Sequence, residues 1–303
     1  RMELSSRDRI ALANYTEIKE RRGGPNGGVF LDVTHLGKDV ILEKLPRMYR
    51  QFVEYQMLDI AKEPMEVAPT AHYSMGGIVV DPPSHATDVT GLYAAGECTA
   101  GLHGANRLGG NSLVETLVFG RRAGEAAARF SRERESQIRS KPVVDEAHAD
   151  LDSLVHHGAE LSRALQRAVR NVMWERCGVV RNASDMQQAL RMLDEVRSAL
   201  PSVDVRPSEE GWSDLAQVLD VQAMLGTAEA TLRGAIAREE SRGAHNRSDF
   251  PELDPAMEVN FIVGRDGDAR MTLQPVPVPA VPLELAPWLA RAGDIDPAGK
   301  LLE

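Results

Sequence analysis

Cysteine is scarce in this 303-residue chain: Cys98 and Cys177 are its only two. Two thiols cannot build a disulfide framework, and neither stands in a Cys-x-x-Cys or Cys/His spacing suited to a metal, so no metal site is expected and a reducing, cytosolic compartment is. Long apolar runs are missing too. Nothing approaches the roughly 20 residues that cross a bilayer, which excludes a membrane span of its own. Positive charge is in deficit, with 35 basic against 45 acidic residues and a net charge of −10. A general nucleic-acid-binding role, which needs basic attraction for phosphates, is disfavoured, and partners are expected among proteins and small molecules. The opening Arg-Met-Glu-Leu lacks a basic-then-apolar leader. Because it lies close to an ordered pattern, the chain is expected to be a portion of a longer polypeptide. No internal repeat is apparent.

What is present reads as globular, with 43% hydrophobic and 26% charged residues. The length allows two units. Residues 8 to 20 show a short helical pattern that stops in the cluster from Gly23 to Gly28. Val29 to Val33 is strand-like, and residues 38 to 58 return to helical spacing. From Pro64 to Gly124 the chain turns glycine-rich around brief strands, clearest at Gly77–Val80 and Gly91–Ala95, where backbone is brought close to something. A helix is expected over 113–140, then a linker over 136–150. Three amphipathic helices follow, near 159–177, 185–200 and 214–239. Ser184 and Gln187 are placed as a capping box for the second. In the third, Leu215, Val218, Val221, Leu225, Ala228, Leu232 and Ile236 recur at steps of three and four, which predicts one buried stripe. The chain end, with Pro275, Pro277, Pro279, Pro282 and Pro287, reads as extended.

The chemistry concentrates in His72-Tyr73-Ser74-Met75-Gly76-Gly77, then Gly91 to Glu97, then Gly101 to Leu113. Glycines at 96, 101, 104, 109 and 110 let backbone approach a flat ligand, and Asn111-Ser112 falls where a helix should start. A helix N-terminus offers unpaired N–H groups and a positive dipole end, suited to an anion or an electron-rich ring edge. His72 and Arg107 can both donate to a carboxylate, the arginine through a planar fork.

On His-Tyr-x-Met-Gly-Gly together with His-Gly-Ala-Asn-Arg-Leu-Gly-Gly-Asn-Ser-Leu, the sequence resembles the flavoprotein subunits of succinate dehydrogenase and fumarate reductase, with L-aspartate oxidase as a relative. Further matches, in the family's order, are Ser6-Arg7-Asp8, the run Met173–Arg181, and Glu240-Ser241-Arg242-Gly243-Ala244-His245. The resemblance implies an α/β architecture: the C-terminal part of an FAD-binding domain (66–135) with part of a capping domain in front (1–65), and behind it a three-helix bundle (151–250) and a Pro-rich tail (251–303). It implies FAD as cofactor and hydride exchange between flavin N5 and a central carbon of succinate or fumarate. Arg7 matches the proton-transfer arginine, His72 and Arg107 the pair that holds the dicarboxylate, and Glu97, Asn111, Ser112 and Leu113 the flavin contacts. It further implies an iron–sulfur subunit, membrane anchor subunits and a quinone, in electron transport linked to the tricarboxylic acid cycle, at the cytoplasmic face of the inner membrane. Met75 and Ala244 look more like the dehydrogenase/reductase branch than the oxidase. A noncatalytic assembly module is the alternative of a different class.

Intact members of that family begin with a strand, a Gly-x-Gly-x-x-Gly turn and a helix. Gly23 to Gly28 contains Pro25 and has neither the spacing nor the buried strand, so it reads as a loop, and the chain as the C-terminal portion of a flavoprotein. Other residues carry plainer readings. His103 either fixes the glycine loop or touches substrate, and stays outside the catalytic set. His156-His157 is a solvated helix face, since adjacent helical residues point about 100° apart. Met173 and Trp174 read as bundle core and Cys98 as a small buried residue. Arg242 and His245 are assigned a structural role where the bundle meets the flavin domain.

Overall fold

A computed structural model describes residues 7–135, 140–206, 212–285 and 287. Ser6 lies outside them, and so does the side chain of Arg7. The chain divides into two compact units, one running through His72 and taking in the chain from Val281, the other spanning Tyr73–Ala280.

The first unit contains α1 (Arg7–Lys19), β1 (Val29–Leu31), α2 (Lys38–Lys44), α3 (Pro46–Gln56) and β2 (Met65–Val67). The helical stretch read over 38–58 is two helices. Proline disfavours helical backbone in the residue before it, and Leu45 leaves the helix at φ −131° ahead of Pro46, which then opens α3. A small core forms where Ile41, Ile60 and Met65 pack with Tyr49 and Phe52. β1 and β2 pair antiparallel, Phe30 opposite Glu66. The Gly23–Gly28 loop is a turn tied to that ladder: Glu66 accepts from Asn26 N at 2.8 Å, Asn26 Nδ2 at 2.7 Å and Gly28 N at 2.9 Å. Its N–H groups serve a carboxylate of the same chain, which keeps Glu66 below the usual carboxylate range, chiefly through Gly28 N–H.

The second unit is built on α4 (Asn111–Arg132), α5 (Lys141–Ser153), α6 (Ser162–Arg176), β3 (Val180–Arg181), α7 (Ala183–Ala199), α8 (Ser213–Ala237), β4 (Asn246–Arg247), β5 (Val259–Arg265) and β6 (Met271–Pro277). Helices α6, α7 and α8 pack on one another around Val169, Met186, Leu193, Val221, Leu225 and Leu232. The stripe read on α8 is the buried one, except that Ala235 is more deeply buried than Ile236.

Several expectations change. The capping residue of α7 is Asn182, whose side chain accepts from Asp185 N at 2.9 Å, because Ser184 already lies inside the first turn. Lys141–Ser153 is helical where a linker was expected. The chain beyond 251 is not simply extended, since β5 and β6 form an antiparallel hairpin. Pro275 and Pro277 stand two apart in β6, so both lack an N–H on the same edge. Val278 N–H, on the other edge, bonds Glu258 O at 3.1 Å. Around 77–95 the structure has only the isolated bridges Ile78–Thr99 and Ala86–Tyr93. Trp174 and Cys98 are exposed, while Met173 does pack on the core.

The end of α8 is closed by Arg247, whose buried guanidinium donates to Ala235 O at 2.8 Å, Ile236 O at 3.2 Å and Arg238 O at 3.0 Å. The same group grips Asp249 at 2.7 and 2.8 Å. Arg242 instead holds the buried Glu240 carboxylate at 2.7 and 3.0 Å. Burial opposes ionisation of Glu240, but donation from Arg242, Asp254 N–H and Arg238 outweighs it and holds the group at about 2.

Candidate active site

The site run lies in the second unit from Tyr73 to the first turns of α4. Its backbone is folded back on itself at Gly77 (φ +147°), where a Cβ would sit 2.3 Å from Cys98 O. Ile78 N–H bonds Cys98 O at 2.8 Å and Ala100 N–H bonds Ile78 O at 3.0 Å, so 77–78 lies flush against 98–100. Glu97 follows that seam and accepts from Ser74 N at 2.9 Å, and its side chain is otherwise exposed.

Below the glycine run lies a buried polar trio. Tyr73 Oη donates to Glu115 Oε2 at 2.5 Å. His103 Nε2 stands 2.9 Å from the same oxygen and 3.1 Å from Tyr73 Oη. Glu115 is only 3% exposed. Burial, then the Glu115 carboxylate, push the Tyr73 phenol up to about 12, so it is a neutral donor over the physiological range. The Arg107 guanidinium lies over the Tyr73 ring, its Cζ 4.7 Å from the centroid. One terminal N–H donates to Leu108 O at 3.1 Å, while the buried Nε has no hydrogen-bond partner among the described residues.

Asn111, Ser112 and Leu113 form the first turn of α4, as read, although the helix starts two residues before 113. Gly110 precedes it in left-handed conformation with no side-chain cap, so the first N–H groups of a 22-residue helix point outward. Bare backbone at Gly101, Gly104 and Gly109 borders them, with no other group within 4 Å of where a Cβ would stand. Leu108, Leu113 and Leu117 lie exposed beside that helix end, the latter two at 75%. An apolar bed next to a row of outward N–H groups suits a flat ring with an electron-rich edge, and Arg107 supplies donors for an anion. The residues present therefore fit a flavin and a carboxylate.

Two stretches of the chain match family models: residues 1–113 an FAD binding domain, and residues 166–287 the C-terminal region of fumarate reductase flavoproteins. The chain belongs to the succinate dehydrogenase/fumarate reductase flavoprotein family. Among relatives, a fumarate reductase (CoM/CoB) polypeptide of Methanothermobacter marburgensis is 42% identical over 266 residues, covering 88% of this chain and 48% of that protein. The fumarate reductase flavoprotein subunit of Escherichia coli is 36% identical, covering 93% of this chain and 49% of that one. Mycobacterium smegmatis Sdh1, solved with UQ1, superposes with a TM-score of 0.83 at 36% identity, over 94% of this chain and 49% of that chain. The chain thus spans about half the length of the flavoproteins it matches, and FAD is the cofactor of this family portion.

Within that frame, Arg107 and the α4 turn come together in the second unit. His72 is exposed and closes the first unit, covalently next to Tyr73, and Arg7 opens α1 in the first. Tyr73 and Glu115 were not singled out from the sequence. A signal for Glu115 existed: it is the lone charge in Leu113-Val114-Glu115-Thr116-Leu117-Val118, and an isolated acid in an apolar stretch of helix invites the question of what it bonds. His103 proves to be the third member of their network, and Cys98 contributes its backbone rather than its thiol. Among the described residues no group of three His, Cys, Asp or Glu side chains could hold a metal ion, and no helix is long and apolar enough to cross a membrane.

Proposed function

We propose that this chain is the C-terminal half of a flavoprotein subunit that interconverts succinate and fumarate. The observation that carries the reading is Arg107, set over Tyr73 beside the uncapped N-terminus of α4, with donors left free for a carboxylate. When bound, FAD supplies the two-electron carrier that exchanges hydride with a central carbon of the dicarboxylate. Glu97, Asn111, Ser112 and Leu113 line its place, with the α4 N–H groups and dipole facing its polar edge. Arg107 takes one carboxylate through its fork and His72 donates to the dicarboxylate as well. Fixed donors of this kind lower the barrier by positioning and by stabilising charge that grows on the substrate. Arg7 exchanges the proton with the second carbon. An arginine side chain stays protonated in water, so this role needs a dry site with neighbouring charges. Residues 1–65 serve as part of a capping domain, 66–135 as part of the FAD-binding domain and 151–250 as the bundle.

Electrons leave through an iron–sulfur subunit toward quinone, with membrane anchor subunits holding the assembly at the cytoplasmic face of the inner membrane. Supporting this are relatives and solved neighbours whose names carry menaquinol or UQ1, while another carries CoM/CoB, so the dicarboxylate end of the reaction is the shared one. The test is the visible spectrum of the full-length holoprotein before and after adding succinate, with aspartate in parallel. Bleaching of the flavin band by succinate is expected. Bleaching by aspartate alone assigns an L-aspartate oxidase, and a colourless protein that binds no FAD assigns a noncatalytic module.

A further inference from the structure

We propose that Tyr73, Glu115 and His103 act together as positioning residues for Arg107, giving the cation a seat that fixes its plane without consuming its donors. The proposal rests on reading Arg107 as a carboxylate clamp.

A guanidinium has to be held rigidly if it is to orient a substrate, and a carboxylate is the usual partner. Such a partner would occupy the donors that the substrate needs and cancel the charge that attracts it. In this chain the acid stands one step back. Glu115 bonds Tyr73 Oη and His103 Nε2, not Arg107. The arginine meets only the face of the Tyr73 ring, at 4.7 Å, where attraction to the ring quadrupole uses none of its five N–H groups. Leu108 O takes one of those, and the buried Nε–H remains unpartnered.

The ring can serve as a seat only if it cannot turn. Its hydroxyl is pinned to a carboxylate on α4. His103 packs edge-on against it, with centroids 5.1 Å apart and planes at 82°, and bonds the same carboxylate oxygen. With Glu115 Oε2 ionised, that oxygen only accepts, so Nε2 carries the hydrogen. The three side chains thus tie three stretches together: 73 ahead of the glycine run, 103 within it and 115 on the helix beyond. Arg107 lies on the loop between the last two. That loop is also held from the bundle's exit, where Ala244 N–H bonds Ala105 O at 3.0 Å. Glu115 serves the clamp from behind the ring, and a charge buried at that depth has an explanation that packing alone does not give it.

The test is dicarboxylate binding to the full-length holoprotein, read as the flavin absorbance change on titration with malonate, an unreactive dicarboxylate. Tyr73→Leu removes the seat and should weaken malonate by roughly tenfold or more. Tyr73→Phe keeps the ring and loses the pin, for a loss of about threefold, and Glu115→Gln should resemble it. The discriminating measurement is the double variant. In an Arg107→Lys background, Tyr73→Leu should change malonate affinity by less than about twofold, because the two residues act as one device. Equal weakening in both backgrounds makes Tyr73 an independent structural residue and overturns the proposal, as does unchanged affinity in Tyr73→Leu. If Tyr73→Leu does not fold with flavin, Tyr73→Phe and Glu115→Gln decide, and wild-type affinity in both overturns it. An Arg107→Lys protein with unchanged malonate affinity removes the clamp itself, an outcome distinct from a working clamp that ignores Tyr73.

Discussion

Helices α8 and α4 are the two longest among the described residues, 25 and 22 residues, and they solve burial in opposite ways. In α8 the apolar stripe Val218, Val221, Leu225, Ala228 and Leu232 is the buried face, packed on α6 and α7. In the first turns of α4, Leu113, Val114, Leu117 and Val118 are exposed and the charged Glu115 is buried. A helix that hides its acid and shows its leucines is patterned for a surface that this chain does not itself supply. The bundle is locally complete. The α4 end is complete only on its polar side, where Tyr73 and His103 meet Glu115.

The comparison breaks or holds first on paired truncations. Leu232→Ala, in the fully buried α8 stripe, should cost about 2–5 kcal/mol of unfolding free energy. Leu117→Ala, at 75% exposure, should cost less than about 0.5 kcal/mol in this chain alone. Denaturant midpoints measure both. A cost at Leu117 close to that at Leu232 would show that the α4 face is packed after all.

A smaller effect is expected at the joint between bundle and site. Gly243 has φ +59°, and a Cβ there would stand 2.4 Å from Ala105 O. Gly243→Ala should therefore destabilise by about 1–3 kcal/mol through backbone strain and overpacking. It should also loosen dicarboxylate binding in the holoprotein, because Ala105 lies two residues from Arg107. Gly226→Ala is the matching control within α8: the nearest group to its Cβ is 4.0 Å away, so alanine should stabilise by about 0.5–1 kcal/mol. Melting temperatures and malonate titration read the pair. Equal behaviour would mean that the bundle's exit does not hold the arginine loop.

This contrast also marks what could be read from the sequence. The α8 stripe was legible because period and burial agree, and so was the helix start at Asn111, where glycine gives way to an apolar run. The structural role of the Arg242–His245 stretch was legible through the resemblance, and Ala244 does hold Ala105. Glu115 was not legible, since hydrophobic spacing takes the apolar side of α4 as the buried one. The β5–β6 hairpin escaped because Pro275 and Pro277 read as strand breakers, and only the register shows that both face the free edge. The break at Leu45 turned on Pro46, a signal present but outweighed by the helical spacing on either side. Arg247 carries no sequence mark at all: its importance lies in three carbonyls that only the end of α8 brings together.

The smallest effect separates the two regions by pH. His245 sits where α8 ends, and burial above all, with the charges of Arg181, Arg247 and Arg238, pushes its imidazole down to about 4 although Arg238 O pulls the other way. Arg181 Nη1 donates to His245 Nδ1 at 3.1 Å, and Nε2 reaches Arg238 O at 3.2 Å, which fits the neutral ring with its hydrogen on Nε2. A proton on Nδ1 would face a guanidinium. The unfolded chain takes up that proton near 6.5, well before the folded one does. The contribution of His245 to stability is therefore full above 6.5 and falls as pH drops from there to about 4. Glu240 extends the loss below that range: held at about 2 against an ordinary 4.5, its contribution disappears as pH falls between those values. Urea midpoints at stepped pH should decline across both windows. His245→Gln should flatten the upper window and leave the lower one, by about 1 kcal/mol once solvent screening of a half-buried group is allowed for. An unchanged upper slope in that variant would move the acid sensitivity away from the α8 end.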